Sequence, residues 1–292
     1  MEQTKKIFAL GFFDGVHLGH QALIKACVRL AAEQNAIPAA ITFDRHPQSL
    51  FSRAVPLLIN TSTDRAYLLQ QQGIAQITVL PTTKDVMSTQ WGRFLEDLVC
   101  DGGAGFVCGE DFRFGHRGEG NAEKLLHFCA AHGYPCEIVP EQQVDGIRVS
   151  STHIRKLLEA GDVATGARFL GHPHILSGKV ATGRQLGRTM GIPTANISIP
   201  KEVIVPKCGV YACFAEVDGQ KYPAVTNIGS RPTVGGHEIR AESWLLDFFG
   251  DLYGKNLTLE FYAFLRPEQK FASLEELKTQ IHADAAKTRQ IL

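Results

Sequence analysis

Between residues 5 and 140 the chain alternates short apolar runs with longer segments of helical period, and beyond about residue 173 that alternation stops. "KIFALG", "AAITF", "QITVL", "GFVCG" and "CEIVP" read as strands. "HQALIKACVRLAAEQ" carries Leu23, Ala26, Cys27, Leu30 and Ala31 at helical spacing. "TSTDRAYLLQQQ", "STQWGRFLEDLV" and "NAEKLLHFCAAHG" read as further helices, each opening on a capping residue. Five strands separated by four helices predict right-handed crossovers, hence a doubly wound parallel sheet with helices on both faces. Such a sheet binds ligands at the carboxyl ends of its strands. That rule points to the loops "GFFDGVHLGH", "FDRHP" and "GEDFRFGHRGEGN".

After "VSSTHIRKLLEAGDVATGARFLGHP", read as two short helices and a turn, the runs become β-type and are divided by Gly, Pro and Asp-Gly. "EVDGQKYP" is a hairpin signal, because Asp-Gly suits the turn that matches strand twist. "SLEELKTQIHADAAKTRQIL" is a closing helix with Ser273 and Glu276 as a capping box. The fold class expected is therefore α/β: a parallel-sheet domain over residues 1–172, then a small antiparallel β-barrel with a C-terminal helix over residues 173–292.

Thirty basic side chains balance thirty acidic ones, so no global field favours nucleic acid or an anionic membrane, while local phosphate sites stay open. The seven cysteines are odd in number and contain no C-x-x-C pair, which argues against a zinc site or a disulfide framework. No apolar run approaches the ~20 residues of a membrane helix, and the N-terminus lacks a secretory signal pattern. The expectation is a cytoplasmic protein acting on small molecules, without nucleic-acid or membrane partners.

"HLGH" sets His17, Gly19 and His20 where the first strand becomes the first helix. The free N–H groups of a helix N-terminus attract anions, glycines let phosphate approach the backbone, and imidazoles donate to a phosphoryl group as charge builds. On spacing alone the pair reads equally as partly exposed helix-start residues. No third ligand follows at metal-site spacing, and the P-loop order is absent. "SSTHIR" adds Ser151, Thr152 and Arg155 on the first turns of another helix; a lone "SST" is an ordinary cap, but with "HLGH" it forms a second set of phosphate donors.

"GFFDGVHLGH", "GEDFRFG" and "VSSTHIR" together resemble the HxGH-type nucleotidyltransferase domain of bacterial bifunctional riboflavin kinase/FAD synthetases. The resemblance continues through "GRQLGRTMGIPTANI", "TNIGSRPTV" and "AESWLLDFFGDLYG", which match the kinase segments in order. It implies two reactions: phosphorylation of riboflavin to FMN by Mg-ATP in residues 173–292, then adenylyl transfer from ATP to FMN in residues 1–172, giving FAD and pyrophosphate. ATP is then a co-substrate, and FMN and FAD are substrate and product rather than prosthetic groups.

In the first domain the resemblance implies that His17 and His20 bind the ATP phosphates and stabilise displacement at the α-phosphorus. Gly11, Phe12, Phe13 and Gly19 would pass close to the nucleotide. Asp111 and Phe112 would help form the nucleotide and flavin pocket, and Ser151, Thr152 and Arg155 would hold phosphates from the other side. "FDRHP" departs from the family form at Arg45, so His46 reads equally as a loop-structural residue. In the second domain Thr194 and Asn196 of "PTAN" would serve Mg²⁺ and the nucleotide, as hard ligands for a hard cation. Gly178, Gly183 and Gly187 would form a flexible loop over phosphate. Glu242 would be the general base toward the ribityl hydroxyl, with Trp244, at a usual histidine position, and Arg266 contacting flavin. Against these stand the plain readings: turn chemistry for Thr-Ala-Asn, an outward strand glutamate for Glu242 and a solvated arginine for Arg266. A flavin-binding module without turnover and an RNA-binding protein are the rival functions.

Overall fold

The computed structural model describes residues 4–52, 55–181, 191–233 and 236–292. Gly183 and Gly187 lie outside the described residues. The chain divides into two compact units, Met1–Ser150 and Ser151–Leu292.

In the first unit β1 (Lys6–Leu10), β2 (Ile37–Phe43), β3 (Gln76–Leu80), β4 (Gly103–Gly109) and β5 (Cys136–Val139) form one parallel sheet, in the order β3-β2-β1-β4-β5. These are the five strands read from the sequence. Central β1 is buried at every position, as expected for a strand covered on both faces. Its one charged residue, Lys6, reaches Asp101 with its Nζ at 2.9 Å. The crossovers carry α1 (Leu18–Glu33), α2 (Ser62–Gln71), α3 (Lys84–Met87), α4 (Trp91–Cys100) and α5 (Ala122–His132). Thr61 and Asn121 cap α2 and α5 through their side chains, whereas α4 starts after Gln90, which makes no side-chain capping bond. The strand order reverses between β1 and β4, so the crevice for a ligand opens beyond Leu10 and Gly109. A small hairpin, β6 (Gln143–Val144) and β7 (Ile147–Arg148), turns on Asp145 and Gly146, both left-handed at φ 53° and 77°.

The second unit begins with α6 (Ser151–Ala160) and α7 (Val163–Leu170). Packing groups these helices with the barrel, α7 lying against the barrel's last strand. A closed antiparallel barrel follows: β8 (His174–Ala181), β9 (Ala195–Ser198), β10 (Gly209–Val217), β11 (Gln220–Thr233), β12 (Gly236–Leu245) and β13 (Asn256–Arg266), in the order β10-β11-β12-β9-β8-β13. The expected Asp-Gly hairpin joins β10 to β11, with Asp218 and Gly219 at φ 51° and 77°. Inside the barrel Leu257, Leu259 and Phe261 alternate along β13, and the Thr226 and Ser243 hydroxyls meet at 2.8 Å. α8 (Leu274–Ile291) closes the chain. The Glu276 N–H donates to Ser273 Oγ (3.2 Å) and Glu276 Oε2 accepts from Ala272 N–H (3.0 Å), a capping box shifted by one residue on its return bond.

Candidate active sites

In the first unit the chain leaves β1 through an unusual turn. Phe13 and Val16 adopt left-handed φ of 57° and 41° while fully buried, a conformation that costs free energy and persists only where surroundings impose it. Four constraints are visible. Asp14 Oδ1 accepts from Ile59 N–H at 2.8 Å. The Phe12 carbonyl accepts from Thr42 Oγ1 and from Arg65 Nη1, each at 2.8 Å. Gln21 donates to the Val16 carbonyl at 3.0 Å. Gly11 leaves room for the Phe13 ring, which a Cβ would approach to 3.0 Å.

This turn delivers His17 as the N-cap of α1, its Nδ1 accepting from His20 N–H at 3.4 Å. The two imidazoles stack with centroids 3.6 Å apart and planes 12° from parallel. Gly19 permits the stack, since a Cβ there would stand 3.2 Å from His17 Cε1. Phe13 sets its edge on His20 at 5.3 Å. Burial, then His17, then the Arg65 cation, hold the His20 imidazolium well below the usual range, so His20 is neutral at pH 7. Its Nδ1 is buried without a hydrogen-bond partner among the described residues. A neutral, unpartnered imidazole beside a capped helix N-terminus is a donor set suited to phosphate.

Arg65 was not singled out by the sequence. It is fully buried in α2, on the stripe with Leu68 and Leu69. Its Nη2 donates to the Phe43 carbonyl at 3.0 Å, and its guanidinium lies 4.4 Å from the Phe12 ring centroid. His46 takes a structural place: its Nδ1 caps the turn Pro47–Leu50 by accepting from Gln48 N–H at 3.2 Å, and its ring meets Phe12 edge-on. Asp44 accepts from Thr82 N–H at 2.7 Å. Burial raises its proton affinity, but the Thr82 bonds together with the Arg45 N–H and charge outweigh that and leave its carboxyl below the ordinary range.

After β4, exposed Asp111 pairs with Arg148 at 2.6 Å, and Arg148 also holds Glu141 at 2.6 Å. Phe112 stacks on Phe114 at 5.7 Å and packs on the core. Ser151, Thr152 and Arg155 occupy the first turns of α6, in the second compact unit.

In the barrel, register brings the other cluster together. Glu242 of β12 pairs with Asn227 of β11 on one side and Asn196 of β9 on the other. Ala241, Ser243 and Leu245 are buried, so period-two alternation places half-buried Glu242 and Trp244 together on the opposite face. That face also carries Val225, and Ala285 of α8 packs into the same apolar cluster. Trp244 meets His282 of α8 edge-on at 5.5 Å. Asn196 is buried and Thr194 stands just before its strand. Asn227, within "TNIGSRPTV" but not chosen individually, donates to Glu268 at 3.4 Å.

Two glycine and arginine expectations change. Gly178 belongs to β8, paired with Leu257, and not to a flexible loop. A Cβ there would lie 2.1 Å from Ile197 Cγ2, so the residue serves the close passage of β9 over β8. Arg266 is neither solvated nor free: its Nε and Nη2 grip the Asp284 carboxylate at 2.8–3.1 Å, tying β13 to α8.

The FAD synthetase family model matches residues 1–153 and the riboflavin kinase family model residues 170–292. The bifunctional riboflavin kinase/FMN adenylyltransferase of Pseudomonas fluorescens is 37% identical over 98% of this chain and 92% of its own. The chain belongs to the bifunctional riboflavin kinase/FMN adenylyltransferase family. Relatives from Listeria monocytogenes (33%, covering 97% of this chain and 91% of theirs) and Escherichia coli K12 (34%, 97% and 92%) carry the same description. A Streptococcus pneumoniae crystal structure titled a macrolide-efflux protein superimposes with a TM-score of 0.87 at 29% identity, over 99% of this chain and 95% of that one. Among the described residues of this family member, no helix is long and apolar enough to cross a membrane. The enzyme thus has both activities, riboflavin kinase and FMN adenylyltransferase, with ATP, riboflavin, FMN and FAD as its substrates and products.

Proposed function

We propose that the two reactions are carried by separate residue sets, His17 and His20 for adenylyl transfer and Glu242 for phosphorylation, with residues 1–172 and 173–292 as the functional domains. What carries this reading is the stacked histidine pair on the N-terminus of α1 in one unit and the Asn227–Glu242–Asn196 row in the other. In adenylyl transfer an FMN phosphate oxygen forms the new bond to the α-phosphorus of ATP, and the bond to pyrophosphate breaks. His17 and His20 donate hydrogen bonds to the phosphate oxygens on which charge grows, and Gly11, Phe12, Phe13 and Gly19 let the nucleotide approach the backbone. Ser151, Thr152 and Arg155 are assigned to phosphate binding; the FAD synthetase match runs to residue 153, past the first two. Asp111 and Phe112 contribute to the nucleotide and flavin pocket.

In phosphorylation the ribityl hydroxyl gives its proton to Glu242 while its oxygen bonds to the γ-phosphorus and ADP leaves. Thr194 and Asn196 are the hard oxygen donors that would hold Mg²⁺, and their chemistry fits an ion bound through one or two protein groups plus substrate phosphates. When bound, the ion neutralises phosphate charge. Asn196 lies directly across from Glu242, which supports the assignment. Trp244 offers an aromatic face to flavin, and Arg266 acts near flavin by fixing α8 beside it. The seven free thiols suit a cytoplasmic enzyme, and the neutral charge balance suits small-molecule substrates without nucleic-acid or membrane partners.

The test is a crossed pair of variants assayed on the full chain. Glu242→Gln is expected to abolish FMN formation from riboflavin and leave FAD formation from supplied FMN. His20→Ala is expected to do the reverse. Loss of both activities in either folded variant overturns the separate-set reading.

A further inference from the structure

Arg65 is the most deeply buried charge among the described residues, at 0% accessibility, yet it makes no ion pair at salt-bridge distance with any of them. Burying an arginine is costly unless its donors are used, and here two of them are given to backbone. One donor fixes the Phe12 carbonyl at the end of the β1 turn and another the Phe43 carbonyl at the end of β2. The ring of Phe12 covers the guanidinium at 4.4 Å, while Nε has no hydrogen-bond partner among the described residues. A hydrophobic side chain would fill this space at lower cost if filling were the only requirement.

The position of Arg65 suggests the requirement. The peptide it holds is the one that enters left-handed Phe13, and the Phe13 ring is the surface against which His20 stands. We propose that Arg65 is a positioning residue for adenylyl transfer, locking the Phe12–Phe13 peptide so that the His20 ring is held in its stack with His17. The inference rests on His17 and His20 acting as the adenylyl-transfer donors. Its charge has a second consequence. The titratable and charged groups acting on His20 are His17 of α1 and Arg65 of α2, while Asp14 of the turn and Asp44 after β2 act on Arg65. The Arg65 cation therefore helps keep His20 neutral.

The experiment measures FAD formation from FMN and ATP by the full-length enzyme between pH 5 and 9, with FMN formation from riboflavin as an internal control. Arg65→Met removes both charge and bonds. It is expected to lower kcat about 10- to 100-fold, the scale of a small misplacement of reacting groups, with a smaller change in KM for ATP. The acid-side inflection should move to higher pH. Arg65→Lys keeps the charge and at most part of the clamp; it should recover the inflection but only part of kcat. The kinase control should stay unchanged in both.

Wild-type kcat and pH profile in Arg65→Met overturn the proposal. If that variant does not fold, Arg65→Lys decides: reduced kcat with an unmoved inflection supports it, and wild-type kcat overturns it. Loss of folding in both variants makes Arg65 a purely structural arginine and also overturns it. His20→Ala separates the two levels. Full FAD formation in His20→Ala sinks the histidine assignment itself, whereas an inactive His20→Ala beside a normal Arg65→Met sinks only the role of Arg65.

Discussion

Each half of the enzyme buries a histidine whose protonation is suppressed, and the two do opposite work. His20 lies at the end of a strained turn, stacked on His17, with its Nδ1 buried and without a hydrogen-bond partner among the described residues. His174 lies inside the barrel on β8, opposite Phe261, with neither ring nitrogen hydrogen-bonded among the described residues. The first is held by irregular backbone that buried polar side chains enforce; the second is one more side chain in a regular wall. The same contrast separates the two proposed reaction centres. The histidine pair depends on Arg65, Thr42, Asp14 and the left-handed residues Phe13 and Val16. The Asn227–Glu242–Asn196 row needs only the correct strand register. A site built on register fails when strands or their supporting helix are disturbed, and a site built on a turn fails when single buried contacts are lost.

The sharpest way to break that comparison is at the support of the barrel face. Asp284 is almost fully buried and receives Arg266 and Gln280. Asp284→Ala leaves the Arg266 guanidinium mostly buried and unpaired, at a cost of about 3 kcal/mol, the low end for a broken buried pair, because Arg266 still donates to the Pro267 carbonyl. Denaturant unfolding should register the loss, and riboflavin kinase activity should fall while FAD formation from FMN persists. Equal loss of both activities would mean that α8 does not act through the barrel face alone.

Gly178→Ala is the next test. Its methyl would sit 2.1 Å from Ile197 Cγ2, on a β-branched side chain that has little freedom to turn away. Overpacking of this kind costs about 2 kcal/mol, and β9 carries Asn196, so kinase activity should drop with stability. Gly178→Ala combined with Ile197→Ala should recover a good part of the kinase activity. A single variant as stable and active as the parent would show that β9 can shift without consequence for Asn196.

Much of this was legible in the sequence because the physics was local. Alternating period gave all five sheet strands, Asp218-Gly219 marked its hairpin, and Ser273 with Glu276 marked the start of α8. The less legible features depend on contacts made at a distance. Gly178, expected in a loop, lies in β8; a glycine inside a strand signals close approach, and Ile197 is what approaches. Arg65 looks like an ordinary charge in a polar helix. Only its spacing from Leu68 and Leu69, on the buried stripe of α2, hinted at burial. Gly183 and Gly187 fall outside the described residues, and α6 and α7 carry no sequence mark of the unit they pack with.

The smallest effect expected is the acid response of His174. Burial, and to a lesser degree His172, push its proton affinity down to about 3, so the native barrel holds it neutral. The unfolded chain takes up that proton near pH 6.5. Below 6.5 the unfolded state therefore binds more protons, so the stability contribution is complete above that value and is lost as pH falls toward 3. Between pH 7.5 and 5.5 the loss is about 1.4 kcal/mol for this one group. Urea unfolding followed through Trp244 in a Trp91→Phe background reads the second unit, since the chain has only two tryptophans. His174→Phe keeps the ring's shape and removes the titration, so its stability should fall less across that interval by about the same 1.4 kcal/mol. Other histidines contribute equally to both proteins and cancel in the difference. Identical pH dependence in the two would mean that His174 protonates without cost in the barrel. Burial without hydrogen bonds would then not distinguish a structural histidine from the poised one at the head of α1.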